Sequence, residues 1–422
     1  MGKTLFKNGL LVDGNGGEPK LDQVVVTQDQ KILYVGPEDS YEATGEENVV
    51  DAQGGTILPG FIDTHVHMMM EYTPLSERLT KPFSYMYFEA QKYLENTLNA
   101  GVTSVRDALG TDLGVKKAIE EGLIKGPRMQ LSINALTITG GHGDGTQLNG
   151  DVLDLLPSGH RGMPDGRCDG VAEVRKKTRE MLRAGAEVIK VHATGGVLSP
   201  TDHPEFTQFS LEELKAIVEE GRFRKGVKVM AHAQGSEGIK NAVRAGIHSI
   251  EHGIFIDDEA IELMLENGTY LVPTLLAPVS VLETADEKGM PQSAVEKSKE
   301  VIEQHRASFT KAYQAGVKIA MGTDAGVMKH GTNLRELGLM VDAGMTPMDA
   351  IVATTKTASE CLGWSDQVGT LEEGKLADVV ITKGKPLDDI YSLANNDEIQ
   401  YVLKGGQVQK NLLSTKQELT HH

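Results

Sequence analysis

The chain has 422 residues, 39% hydrophobic and 24% charged, with 47 Gly and 15 Pro, a globular composition long enough for two or three domains of about 150 residues. Its net charge of −18 repels phosphate backbones and disfavours nucleic-acid binding, and no apolar run approaches the roughly 20 residues that span a bilayer. Two cysteines, Cys168 and Cys361, exclude a disulfide framework, and with no signal-peptide apolar stretch at the N-terminus a cytoplasmic protein is expected.

The first 57 residues read as short strands at 5–12, 23–27, 32–36 and 49–51, punctuated by Asn8-Gly9, Asp13-Gly14 and Gly54-Gly55 turns. The middle alternates strands, at 61–67, 103–108, 128–134, 187–193, 228–233, 249–253, 270–275 and 318–324, with helical stretches. Residues 171–185 place Val174, Met181 and Leu182 on one face with Lys and Arg opposite. Ser210-Leu-Glu-Glu213 is a capping box opening a helix that runs towards Gly226. Eight strands, each followed by helical material over about 270 residues, match an α/β fold of the (β/α)8 TIM-barrel type; a doubly wound open sheet, usually with fewer strands, is the rival. Residues 140–170 show little periodicity, and loops of that length are functional lids or disordered. In a barrel this loop, following the third strand, would hang over the C-terminal mouth. After Gly369 the opening texture returns at 377–382 and 400–404, with a Lys404-Gly405-Gly406 turn. The strand-rich ends suggest one small β domain built from both termini; two unrelated β appendages are the alternative.

His65 and His67 stand at i and i+2 of a strand, so both imidazoles point to one face and can reach one metal. Alone, that spacing says little. His232, His252 and Asp324, however, end the fifth, sixth and eighth strands, on the rim where barrel enzymes place their sites. Core histidines would scatter instead, so a metal site is the reading. Lys190 lies in the apolar stretch Glu-Val-Ile-Lys-Val-His-Ala and points into the same mouth. Desolvation disfavours an ammonium there, and neighbouring metal ions disfavour it further. A lysine snorkelling to solvent is the plain alternative; beside a metal cluster the physics favours a lysine carrying negative charge.

His65-Val-His67, Lys190, His232, His252 and Asp324, with Leu58-Pro59-Gly60 before the first strand and Gly374-Lys-Leu-Ala-Asp378 after the last, resemble the binuclear branch of the amidohydrolase superfamily over nearly the whole chain. The resemblance implies that His65, His67 and Asp324 bind one Zn2+ while His232 and His252 bind the other. Lys190, carboxylated by CO2, would bridge them. It also implies a β-sandwich domain from residues 1–57 plus 366–415 beside a barrel at 58–365. A metal-bridging hydroxide would attack a carbonyl, and Asp324 would take its proton and pass it to the leaving nitrogen.

Thr139-Gly-Gly-His142-Gly-Asp144, Ala193-Thr-Gly-Gly-Val197 and Gly326-Val-Met-Lys-His330-Gly-Thr-Asn333 further resemble a branch of Xaa-Pro and Xaa-Lys/Arg dipeptidases, carboxypeptidases and ochratoxin-cleaving amidases. The substrate so implied is a dipeptide or N-acyl-L-amino acid with a free carboxylate. His142 would be catalytic as well as substrate-binding, stabilising negative charge on the carbonyl oxygen, and its flanking glycines let the backbone approach closely. His192, on the inward face above Lys190, would line the substrate wall, with packing under the lid as the alternative. His330 could bind a carboxylate, with a solvated loop histidine as an equal alternative; Arg161 and Arg167 could pair with one too, but for these loop arginines simple solvation is the leading reading. Gln234 replaces a tyrosine carried by some dipeptidase relatives and would contact substrate through its amide. A cyclic-amide hydrolase of the imidazolonepropionase kind, a lactonase or a phosphotriesterase could use the same centre. A non-catalytic scaffold is the remote reading, since no metal ligand is lost. The expected partners are a small-molecule substrate and further copies of the chain in a homo-oligomer, with neither nucleic acid nor membrane.

Overall fold

The computed structural model describes residues 2–78, 80–147, 149–153, 159–197, 202–287 and 289–413. Near the N-terminus, Lys3–Lys7, Gln23–Gln28, Lys31–Pro37 and Asn48–Asp51 form a four-stranded sheet. Its hairpin between Gln28 and Lys31 turns at Asp29, which adopts a left-handed φ of 53°, the conformation a tight turn between twisted strands demands. A second sheet draws on both chain ends: Gln407–Asn411, Ile399–Lys404, Val379–Thr382, Thr56–Pro59 and Leu10–Leu11. One apolar cluster joins the two sheets, with Phe6, Val25 and Ile32 from the first packed with Ile57, Val379, Ile381 and Tyr401 from the second.

The middle of the chain supplies parallel strands separated by helices. Phe61–Val66, Val102–Asp107 and Arg128–Leu131 form one sheet, and Ala135–Leu136, Val188–His192, Lys228–Ala233, Ser249–His252 and Tyr270–Val272 form another. The expected third strand, 128–134, is thus cut short. Ile133 takes a left-handed φ of 70°, which no continuous strand tolerates. The strand that forms, Arg128–Leu131, pairs with Val102–Asp107, and a separate two-residue strand beyond the expected bounds, Ala135–Leu136, pairs with Val188–His192.

The strand expected at 318–324 is also corrected. That segment makes only isolated parallel bridges, Leu271 with Ile319 and Val66 with Ala325. Two local features break the ladder between them. A side chain on Gly322 would collide with Val272 and His65, and Asp324 itself turns to a φ of 69°.

Helix Gly170–Ala184 buries Val174, Thr178 and Met181 and ends at Gly185 with a φ of 107°, a left-handed cap that glycine adopts without a Cβ clash. Ser210 and Glu213 make both bonds of the capping box before helix Leu211–Phe223. Within 140–170 the described residues are tied by bridges between Thr137 and Arg167, Thr146 and Val152, and His160 and Met163; residues 148 and 154–158 lie outside the description, as do 414–415 at the C-terminal end. The terminal sheets are pinned to the parallel strands through Asp378, which accepts hydrogen bonds from Thr103 at 2.9 Å and from Arg128 at 2.8 Å. Among the described residues no helix is long and apolar enough to cross a membrane.

Candidate metal centre

Where the parallel strands end, every expected site residue except His330 and the candidate arginines Arg161 and Arg167 lines one cavity of about 310 Å³. His65 and His67 come from the end of strand Phe61–Val66, and Asp63 on the same strand organises their surroundings. Its carboxylate accepts from the His65 backbone N–H at 3.0 Å, from the Thr323 hydroxyl at 2.7 Å and from Asn333 at 2.8 Å. That draws the segment around residue 323 against the first strand, where the Asp324 N–H donates to the His65 carbonyl at 2.8 Å. The Asp324 Oδ1 then lies 2.9 Å from His67 Nε2 and 3.4 Å from His65 Nε2. The ligand atoms of these three side chains all fall within 4.8 Å of one another.

The remaining groups close round this nucleus. Lys190 Nζ stands 3.4 Å from His65 Nε2, and the His252 ring lies 5.1 Å from His65 and 4.5 Å from His232 between centroids. His142 stacks on His232 at 4.3 Å, and His192 meets both edge-on at 5.1 and 5.5 Å. Asp324 and His252 both hold left-handed backbone, with φ of 69° and 75°. Such strain costs on the order of 1–3 kcal/mol per residue and persists only where surrounding structure enforces it.

Each of the four histidines expected to bind metal has one ring nitrogen committed to a protein group outside the cluster. His65 Nδ1 pairs with Glu251 at 2.7 Å, His67 Nδ1 with the Leu109 carbonyl at 3.2 Å, His252 Nδ1 with the Thr274 hydroxyl at 2.7 Å, and His232 Nε2 with the Gly195 carbonyl at 3.0 Å. Partners of this kind fix the ring and its tautomer, as they do around metal-ligating histidines. Burial holds His232 and His252 well below the ordinary imidazole range, leaving neutral rings with a lone pair to offer. Burial likewise brings the Lys190 amine down to about 8, against the pull of Glu251 and Asp324. Although burial opposes ionisation of Asp324, hydrogen bonds from His65 and His67 hold its carboxyl well below the usual range. A buried set of imidazoles, a carboxylate and an amine whose charged form burial disfavours is a donor set that fits divalent metal.

The structure departs from expectation at the periphery. His330 lies away from the cavity: it is buried, pairs with the Met70 carbonyl at 2.8 Å and stacks on Tyr93 at 4.9 Å. The sequence reads it as a ligand-binding loop residue because a packed histidine and an exposed one look alike there. Arg167 pairs with Asp165 and Asp144, and Arg161 is exposed. Gln234 and His192 do line the cavity, each with one buried side-chain polar atom, Oε1 and Nδ1, that has no protein partner. Sequence reasoning missed Glu251 and Arg106, which pair at 2.9 Å with both side chains fully buried. The available signal was a pair of opposite charges, one in each of two strands, Val102–Asp107 and Ser249–His252.

A ring of buried imidazoles and carboxylate at the carboxyl ends of parallel strands, opening on a cavity, is an arrangement that could hold a metal ion at the rim where α/β enzymes place their sites. The chain belongs to the amidohydrolase family, whose model matches residues 56–408, and it is a hydrolase acting on amide bonds; the family generally uses divalent metals. It is 36% identical to ochratoxinase of Aspergillus niger over 427 residues, covering 96% of this chain and 86% of that one. Its fold resembles the crystal structure of a Xaa-Pro dipeptidase with bound methionine, with a TM-score of 0.86, 35% identity and coverage of 96% and 99% of the two chains. A prolidase complexed with N-methylphosphonate-L-proline gives a TM-score of 0.89 at 35% identity, with 97% and 100% covered.

Proposed function

We propose that this protein hydrolyses the amide bond of dipeptides or N-acyl-L-amino acids at a pair of Zn2+ ions. His65, His67 and Asp324 would hold one ion, His232 and His252 the other, and a carboxylated Lys190 would lie between them. The observation that carries the reading is the convergence of these six side chains, each second imidazole nitrogen already engaged by the protein, on one cavity. Similarity to ochratoxinase and to prolidase structures supports the substrate class. The two parallel sheets, with the bridges at Ile319 and Ala325, are read as one (β/α)8 barrel spanning 58–365. The terminal sheets are read as a β-sandwich domain of residues 1–57 plus 366–415. A cytoplasmic homo-oligomer remains the expectation for the assembly.

A lysine at the bottom of this cavity suits carboxylation. Its amine is brought towards neutrality by burial, and a neutral amine attacks CO2 to give a carbamate and release a proton. The new anion would stand where an ammonium is disfavoured. When bound, divalent metal supplies Lewis acidity that polarises a carbonyl and acidifies water.

The protein's own groups account for the rest. Asp324, ionised and beside His65 and His67, accepts a proton from the water that attacks the carbonyl carbon and delivers it to the amide nitrogen as the C–N bond breaks. His142, over the cavity, donates a hydrogen bond to the carbonyl oxygen as negative charge develops. Gln234 and His192 offer their unpartnered atoms to polar groups of the substrate. Apolar walls from Met70, Leu109, Val281 and Val327 suit an uncharged side chain and exclude water.

Matched substrates test the bond class: a linear N-acyl-L-amino acid, a cyclic amide, a lactone and a phosphotriester, each assayed with metal-loaded protein. Preferential hydrolysis of the linear amide is expected. Faster opening of the cyclic amide or lactone would replace this reading with ring-opening chemistry.

A further inference from the structure

His142 is held at three points, and two of its partners lie far away in sequence. Its Nδ1 bonds to Asp202 Oδ2 at 3.1 Å, and its backbone N–H donates to Gln208 Oε1 at 3.1 Å. The Gln208 amide in turn donates to the same Asp202 oxygen at 3.5 Å. Ring, carboxylate, amide and backbone therefore close a loop in which the His142 ring has little freedom to rotate. Gly196 lies so close beneath the ring that an added Cβ would come within 2.3 Å of it, and His232 stacks on it at 4.3 Å.

Asp202 is itself fixed. It is buried, and its carbonyl accepts a 2.6 Å bond from Lys297 Nζ, which also reaches the Gly196 carbonyl at 3.3 Å. One ammonium, carried on the long helix Gln292–Gln314, thus ties down both residues that shape the seat of His142. Asp202 is not among the residues that line the cavity, so its route to substrate runs through His142.

We propose that Asp202 and Gln208 are positioning residues for the hydrolytic reaction, setting the rotation of His142 so that Nε2 faces the scissile carbonyl. The inference rests on the reading of His142 as the group that meets this carbonyl. With Nδ1–H given to Asp202, the other nitrogen is the one left to the cavity, and it donates to the carbonyl oxygen when it too carries a proton. A ring free to turn would present carbon edges or the wrong nitrogen, and misplacement of a positioned group by about 1 Å can cost on the order of 100-fold in rate.

The test combines crystallography with a double-mutant cycle. In Asp202→Ala the His142 ring should leave its place, whereas in Asp202→Asn an amide oxygen still accepts from Nδ1–H and the ring should stay. Turnover of an N-acyl-L-amino acid should follow: Asp202→Ala lowers kcat between about 10- and 100-fold with KM little changed, and Asp202→Asn recovers most of that loss. In a His142→Ala background the Asp202→Ala change should have almost no further effect, because a coupled pair is not additive. Gln208→Ala should show the same dependence on His142 more weakly. A ring that stays put in Asp202→Ala would overturn the proposal, and so would an equal kcat loss with and without His142. If no amide in the panel is cleaved, the functional reading falls, while the ring position still decides what Asp202 does.

Discussion

Replacing Glu251 with glutamine preserves the volume of the side chain and removes its charge, which separates two tasks that the carboxylate performs. One oxygen receives Arg106 at 2.9 Å and the other receives His65 Nδ1 at 2.7 Å, with both Glu251 and Arg106 fully buried. Among the described residues Arg106 otherwise donates to the Thr64 carbonyl at 2.7 Å and the Cys361 sulfur at 3.7 Å. Glu251→Gln therefore leaves a desolvated guanidinium without its counter-charge, a change that costs about 3–5 kcal/mol when a buried pair loses one member. Glutamine also has a single acceptor oxygen. If Arg106 takes it, the amide NH2 faces His65 and favours the tautomer with a proton on Nε2, the nitrogen that faces Asp324. Loss of such a supporting partner typically weakens metal affinity about 10- to 100-fold. Urea unfolding at neutral pH and competition for Zn2+ against a chelator measure the two effects on one sample. A midpoint unchanged from the parent protein, together with unchanged Zn2+ affinity, would refute the claim that Glu251 both neutralises Arg106 and orients His65.

Lys190→Ala should lose nearly all turnover and fall below two bound metals per chain by elemental analysis; full activity with two metals retained would remove the carbamate. Asp324→Asn keeps an oxygen near His65 and His67 but cannot take a proton, so it should bind metal and turn over poorly, with an unaltered kcat excluding the proton transfer. Asp378 is opposed by burial but held below the usual carboxylate range by Arg128, the Gly405 N–H and Thr103. A depressed carboxyl stabilises the fold above its unfolded pKa and loses that contribution as pH falls through the folded one. Asp378→Asn should therefore be about 3–5 kcal/mol less stable at neutral pH and show a flatter acid limb; parallel stability curves below pH 4 would contradict it.

The parts of the site that could be read from sequence are those whose chemistry is local. His65 and His67 share a strand face by simple alternation, and Lys190, His232 and His252 fall on strand Val188–His192 and its neighbours close to the expected boundaries. Breaks in strands were harder to see, because Ile133 is a β-branched residue in a stretch that alternates apolar and polar positions as a strand does, and its type does not announce a left-handed φ of 70°. Glu251, Arg106, Asp202 and Gln208 escaped for a different reason. Each acts through a partner brought near by folding, 145 positions away for Arg106 and Glu251 and 60 for His142 and Asp202. His330 shows the converse: its neighbours Met70 and Tyr93 satisfy and stack it, and only the folded chain reveals that the ring is already occupied.

The central claim is that this cluster hydrolyses amides with two metal ions. The direct measurement is release of free amino acid from an N-acyl-L-amino acid while Zn2+ is titrated into metal-stripped protein in bicarbonate. Activity absent at the start and rising to a plateau at two equivalents per chain is the predicted result. Full activity in the stripped protein, or two ions bound with no amino acid released from any dipeptide or N-acyl substrate, would contradict it.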